Sequence, residues 1–205
     1  MFYVIILLII VMLINNILLK YHIDIKGSKE GNDNSNCIYD IGHNYLPKLK
    51  VDQISRNIGN FMASFPLIYT MIYLPNYTTR KLFIKDLIII YLIRIVLNNL
   101  TILPSTKKCD NLDSTLFSVG GCCDYLFSGH TSTALLSSIY ILFYINPNMA
   151  PILLVYNILN SLMIIMNRYH YTDDVLIAWI MCIFIFSLHY NKSSLDILKK
   201  IFILK

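Results

Sequence analysis

The stretch Cys122–Ile145 reads CCDYLFSGHTSTALLSSIYILFYI. Its second half is an apolar run with small residues between the large ones, which suits a helix entering an oily environment. Its first half puts a carboxylate (Asp124), two hydroxyls (Ser128, Thr131) and an imidazole (His130) at the entrance. Chemistry-bearing groups at the mouth of an apolar helix point to a site at a membrane face rather than to the core of a water-soluble enzyme.

The rest of the chain agrees. Of 205 residues, 56% are hydrophobic and 14% charged, against about a quarter charged in an ordinary soluble domain. The net charge of +5 is spread along the chain, with no basic block that would suit nucleic acid. Apolar segments recur at 1–19, 58–74, 87–103, 131–145, 151–166 and 175–190. A membrane-spanning helix needs about 20 largely apolar residues. Several of these segments are near or below that limit, but six of them with so few charges between predict an all-α, polytopic membrane protein with six transmembrane helices. The whole chain, 1–205, reads as one integral membrane catalytic domain. Residues 20–57 form a polar loop, and 191–205, with Lys199 and Lys200 on one side and apolar residues on the other, suit an interfacial tail. The first segment lacks a positive n-region and a small-residue cleavage site, so it reads as a span rather than a signal peptide. Lys and Arg fall almost evenly on the two sides, so orientation is not decided by charge. The five cysteines show no zinc spacing; they read as free thiols, with a bridge between Cys109 and one of Cys122 and Cys123 as the alternative.

Topology brings two histidines together. His130 opens the fourth span and His170 precedes the sixth. Two crossings separate them, so both lie at one membrane face. In RYHYTDDV (168–175), His170 and Asp174 are four apart and share a helical face if the span begins near Tyr169. A carboxylate on one imidazole nitrogen fixes the tautomer and makes the other a better nucleophile. A second imidazole can give a proton to a leaving oxygen. The N-terminus of the fourth span, with Ser128 and Thr131 as caps, is a seat for phosphate. The constellation points to phosphoryl transfer on a lipid headgroup. Zinc held by the two His and Asp is the lesser alternative, since no HExxH-like cluster accompanies them. His22, His43 and His189 read as polar residues at the water boundary.

CCDYLFSGHT resembles the CGDxxxSGHT motif of sphingomyelin synthases and related sphingolipid synthases, within the lipid phosphatase superfamily. RYHYTDDVLIAW resembles their HYTxDVxxA motif. YLIRIVLNNLTILP is similar to the family's YxxR segment ending in Thr-x-Leu-Pro, matching Tyr91, Arg94, Thr101, Leu103 and Pro104. YDIGHNYLP (39–47) is a weaker echo of a Pro- and Asp-containing segment before span two. The resemblance implies a six-span, lipid phosphatase-like core and a metal-independent transfer without cofactor. His170 would attack the phosphorus of a glycerophospholipid donor, oriented by Asp174, and His130 would protonate the departing diacylglycerol. The headgroup, phosphocholine first among the candidates, would then pass to ceramide. The family's arrangement places the site on the lumenal or exterior face of a Golgi, endoplasmic reticulum or plasma membrane. Cys123 departs from the motif's glycine. Neither a KxxxxxxRP signature nor an Arg six residues before His170 is present, which separates the chain from simple lipid phosphatases.

The substrate-binding candidates are Arg94, Asp124, Ser128, Tyr125 and Arg168. Arg94 lies about 15 Å along its helix from Pro104, deep enough that it must face the bundle interior and pair. Asp124 serves equally well as a loop-stabilising carboxylate. Tyr125, Tyr169 and Tyr171 also suit interfacial anchoring. A lipid phosphatase or phospholipase C-like hydrolase is the alternative function, and a non-catalytic membrane scaffold the third.

Overall fold

Helices occupy all six apolar segments in the computed structural model, which describes residues 2–18, 39–49, 53–101, 103 and 125–189. In chain order they are α1 (Phe2–Leu18), the short α2 (Ile41–Tyr45), α3 (Gln53–Tyr73), α4 (Tyr77–Leu100), α5 (Gly129–Tyr140), α6 (Ala150–Met166) and α7 (Thr172–His189). A wider helical turn over Ile141–Ile145 continues α5, and a 3-10 turn over Pro147–Met149 leads into α6. Among the described residues there is no strand. Asp124, Cys37, Cys109, Cys122, Cys123, His22 and the 191–205 tail lie outside the described residues.

Helix bounds differ from the apolar segments where polar caps extend them. α4 starts at Tyr77, well before the expected Leu87, because Asn76 caps it: its Oδ1 accepts from the Thr79 amide and hydroxyl, both at 2.8 Å. Most of the stretch between the second and third apolar segments is therefore helix. Part of the expected polar loop is also helical, as α2 and the first turn of α3. Among the described residues, two helices are long and apolar enough to cross a membrane, Pro147–Met166 and Thr172–His189; Tyr3–Leu18 is a shorter apolar helix.

α5 is the axis of the bundle. Every residue from Thr131 to Leu142 is buried, and the run TSTALLSS explains how. Small side chains let neighbouring helices approach closely. Their hydroxyls turn back to the helix's own carbonyls, Ser137 to Thr133 at 2.7 Å and Ser138 to Ala134 at 2.8 Å, so burial leaves them satisfied. Leu135, Leu136 and Ile139 of α5 pack with Phe83, Leu87 and Ile90 of α4 and with Ala178, Cys182 and Phe186 of α7. The Cys182 thiol meets the Ser132 carbonyl at 3.4 Å. α1 packs separately on α4 through Val11, Ile84, Ile88 and Tyr91.

Pro66 inside α3 removes one backbone donor, which frees the carbonyl four residues earlier. That carbonyl, on Met62, accepts the hydroxyl of Tyr156 from α6. Thr70 of α3 donates to the Pro66 carbonyl at 2.7 Å and reaches the Ser137 carbonyl of α5 at 3.2 Å. The helix interior is thus tied laterally where its own ladder is interrupted.

One buried carboxylate within α4 joins the C-terminal ends of α5 and α7. Asp86 of α4 is fully buried, accepts from the Tyr140 hydroxyl of α5 at 2.7 Å, and lies 2.9 Å from His189 Nε2 of α7. His189 is therefore more than a polar residue at the water boundary, contrary to the sequence expectation.

Candidate active site

α5 and α7 meet at their N-termini. Ser128 caps α5, accepting from the Thr131 amide at 3.3 Å and donating its hydroxyl to Thr131 Oγ1 at 2.9 Å. Ser128 is buried, so of the two proposed caps it is Ser128 that caps, with Thr131 as its partner. The first-turn amides of such a helix have no carbonyl within the helix to bond. The residues before the cap bend to reach α7. Leu126 adopts φ 87°, a conformation rare for a branched side chain, and its amide donates to Asp174 Oδ1 at 2.7 Å. The Ser128 amide points at the Asp174 backbone carbonyl, 3.4 Å away.

Asp174 is fully buried and serves three donors: Leu126 N–H on Oδ1, and Tyr171 N–H at 2.9 Å and His170 Nδ1 at 3.0 Å on Oδ2. The i, i+4 pairing expected from spacing is present, although Thr172 rather than Tyr169 begins the helix. A carboxylate oxygen accepts, so a neutral His170 carries its proton on Nδ1 and keeps the Nε2 lone pair. His170 is 4% exposed. The ring of Tyr125 meets it edge-on at 6.1 Å between centroids, and also packs on Tyr171 at 5.1 Å. Tyr125 and Tyr171 are buried at 1% and 6% exposure; the interfacial-anchor expectation for these two is corrected, because their rings wall the site.

His130, on the first turn of α5, is half-buried, with Nε2 2.9 Å from Asn60 Oδ1 of α3. An amide oxygen only accepts, so this contact puts a proton on His130 Nε2. The two imidazoles are thus held by opposite nitrogens, His170 through Nδ1 and His130 through Nε2. Asn60 escaped the sequence reading because nothing local marks an asparagine 70 residues upstream as a histidine's partner.

Arg94 is buried on α4, as its depth required. Its Nε approaches the Phe127 carbonyl at 3.3 Å, and its guanidinium lies against the start of α5: a Cβ on Gly129 would fall 3.0 Å from both Cζ and Nη1. A side chain there would require the guanidinium to give by a few tenths of an ångström. Tyr91, one turn earlier, reaches Thr133 Oγ1 at 3.3 Å and places its ring 5.9 Å from the Arg94 Cζ.

The turn between α6 and α7 is held by a strap, residues 39–49. Asp40 accepts from the Thr172 amide at 2.7 Å, the Thr172 hydroxyl at 2.8 Å and the His43 amide at 2.8 Å. Burial alone would raise its carboxyl, but these bonds outweigh it and hold Asp40 below the usual carboxylate range. His43 Nε2 lies 3.0 Å from the His170 carbonyl. Arg168, at φ 57°, turns its guanidinium back to the His43 and Leu46 carbonyls at 2.7 and 3.1 Å and to Ile165 at 3.2 Å. These contacts tie Arg168 to the strap. His43 departs from the boundary residue expected. Just before α7, burial raises the Tyr171 phenol. Among the described residues no three His, Cys, Asp or Glu side chains gather as a metal set.

Residues 121–192 match the protein family described as PAP2 superfamily C-terminal. The match covers about a third of the chain and contains His130, His170 and Asp174. It supports the lipid phosphatase superfamily, and with it activity of the phosphatase or phosphotransferase type on phosphate esters. No curated protein matches the chain.

Proposed function

We propose that this protein is a multi-pass membrane phosphotransferase of the sphingolipid synthase type, moving a phospho-headgroup, phosphocholine first, from a glycerophospholipid to ceramide. The observation that carries the reading is the convergence of the His170–Asp174 pair, the His130-bearing start of α5 and the Arg94 guanidinium on one end of the bundle. A bilayer setting is supported by large apolar side chains turned outward along the long helices: Ile6, Ile10 and Leu13 on α1, Phe61, Phe65 and Ile68 on α3, and Leu176, Ile180 and Phe184 on α7. Contiguous exposure on that scale marks a surface made for something other than water. The resemblance to sphingolipid synthases would put the site on the lumenal or exterior face of a Golgi, endoplasmic reticulum or plasma membrane.

The chemistry runs in two halves. His170 Nε2 attacks the phosphorus of the donor, forming a P–N bond as the P–O bond to diacylglycerol breaks. His130, starting as the imidazolium, gives its Nε2 proton to the departing oxygen, which must arrive beside Asn60 to receive it, and is left neutral with its proton on Nδ1. Arg94 and the α5 N-terminus hold the phosphoryl oxygens as their charge redistributes. In the second half His130 takes the proton of the ceramide primary hydroxyl. That oxygen attacks phosphorus, the P–N bond breaks and His170 is restored. Asp174 holds the His170 proton throughout and stabilises the positive charge that develops on the ring.

A hydrolase is the second reading, favoured by the family match itself, which holds for phosphatases as much as for phosphotransferases. The two are separated by incubating protein in lipid with headgroup-labelled phosphatidylcholine. Labelled sphingolipid formed only when ceramide is present supports transfer. Release of labelled phosphocholine or phosphate regardless of ceramide replaces it with hydrolysis. No turnover, unchanged by His170→Ala, would sink both.

A further inference from the structure

The strap presents one contact that reaches the nucleophile itself. His43 Nε2 lies 3.0 Å from the main-chain carbonyl of His170, whose ring is held at the other end by Asp174. Residue 170 is therefore pinned at two points, ring and peptide. His43 is fixed in turn on several sides. Its amide donates to Asp40 at 2.8 Å, and its carbonyl accepts from Arg168 at 2.7 Å. Its ring packs on Tyr171 at 5.2 Å, and its Nδ1 is 4.0 Å from Asp40 Oδ1. The strap can come this close only because residue 42 is glycine: a Cβ there would fall 2.3 Å from Thr172 Oγ1 and 2.7 Å from Ile165 Cγ2.

The turn that carries His170 needs such help. It lies between α6 and α7, with Arg168 in a left-handed conformation unusual for a long side chain. The peptide between His170 and Tyr171 is held on its N–H side by Asp174, at 2.9 Å, and on its carbonyl side by His43; losing the carbonyl donor removes one of these anchors and lets the ring shift against Asp174. A misplacement of about 1 Å at an attacking atom can cost about a hundredfold in rate.

We propose that His43 is a positioning residue for the reaction: its Nε2–H donates to the His170 carbonyl and so fixes the line along which His170 Nε2 approaches phosphorus. This rests on the proposed function for the identity of the nucleophile. His43 acts as a hydrogen-bond donor and not as an acid or base, so a neutral donor of similar reach replaces it.

The test uses the full-length protein in lipid nanodiscs with His43→Phe and His43→Gln. Phenylalanine keeps the ring against Tyr171 but removes the donor; glutamine restores an N–H. Two reactions are followed, turnover of phosphatidylcholine with ceramide and phosphorylation of His170 by phosphoramidate, a small donor that needs no lipid site. His43→Phe is expected to lower kcat between about tenfold and about a hundredfold, with KM for the lipid donor within about twofold. His170 phosphorylation should slow by a similar factor. His43→Gln should recover both rates to within about fivefold and keep the wild-type pH profile. If His43→Phe fails to fold, His43→Leu serves as the donor-free variant, with the same losses expected, and a shifted pH profile in His43→Gln overturns the donor role. Wild-type rates in a folded His43→Phe overturn the inference alone. A wild-type protein inert to both donors overturns the reading of His170 as nucleophile, and the inference with it.

Discussion

The Arg94 guanidinium lies against Gly129 so closely that a methyl group on residue 129 would sit 3.0 Å from its Cζ and Nη1. The SGHT stretch thus spends its glycine on admitting a cation to the head of α5. Gly129→Ala should push the guanidinium aside and cut kcat/KM for the phospholipid donor by at least tenfold, about 1.4 kcal/mol or more of transition-state binding. Thermal stability should fall by less than about 2 kcal/mol, because alanine favours the helix while the displaced arginine does not. Unchanged turnover in Gly129→Ala would remove Arg94 from the phosphate seat.

Asp40 links the strap to α7 in a pH-dependent way. Its carboxyl is held below the usual value of 3.8 by the Thr172 and His43 donors. A depressed folded value gives stability that is fully present above the unfolded value and is lost as pH falls through the folded one. Asp40→Asn should therefore be less stable than wild type by about 1–3 kcal/mol at neutral pH. The gap should narrow only below about pH 4. Thermal melts from pH 7 to pH 3 check this; a gap that widens on acidification would contradict it.

At the opposite end, Asp86 and His189 form a buried pair with one third of the histidine exposed. Removing one partner leaves the other buried and uncompensated, which typically costs about 3–5 kcal/mol, whereas replacing both by apolar residues is often neutral. Asp86→Ala should lower the melting temperature sharply, and Asp86→Leu with His189→Leu should recover most of the loss. A double variant whose loss equals the sum of the two single losses would show that the pair is not coupled.

Much of the site was legible because its logic is local. The His170–Asp174 pair follows from a four-residue spacing, and Ser128 from its place before an apolar helix. Arg94 had to face inward because of its depth. The rest depends on the fold. Asn60 and His130 are 70 residues apart, His43 and His170 127 apart, and neither contact leaves a periodic trace. The contact of Arg168 with the strap was hidden for a conformational reason: its positive φ turns the side chain back onto the strap, and a sequence does not display a left-handed residue that is not glycine. Tyr125 was read partly as an anchor because tyrosine near a span end usually is one; here the neighbouring Leu126 amide bonds to Asp174 and the Tyr125 ring is buried.

Orientation follows from two glycosylation sequons, Asn76-Tyr77-Thr78 and Asn191-Lys192-Ser193. Both fall on the face opposite the site in a six-span arrangement. With the site lumenal or exterior, neither asparagine should carry sugar when the protein is made in a eukaryotic host. A mass shift at Asn76 removed by a glycosidase would invert the arrangement.

The most direct measurement is to quench the protein in alkali within its first turnovers of headgroup-labelled phosphatidylcholine, omitting ceramide, and to map the label by mass spectrometry. The account predicts phosphocholine on His170, absent in His170→Ala and discharged to sphingolipid when ceramide is added. Label on any other residue, or turnover in His170→Ala at the wild-type rate, would contradict it.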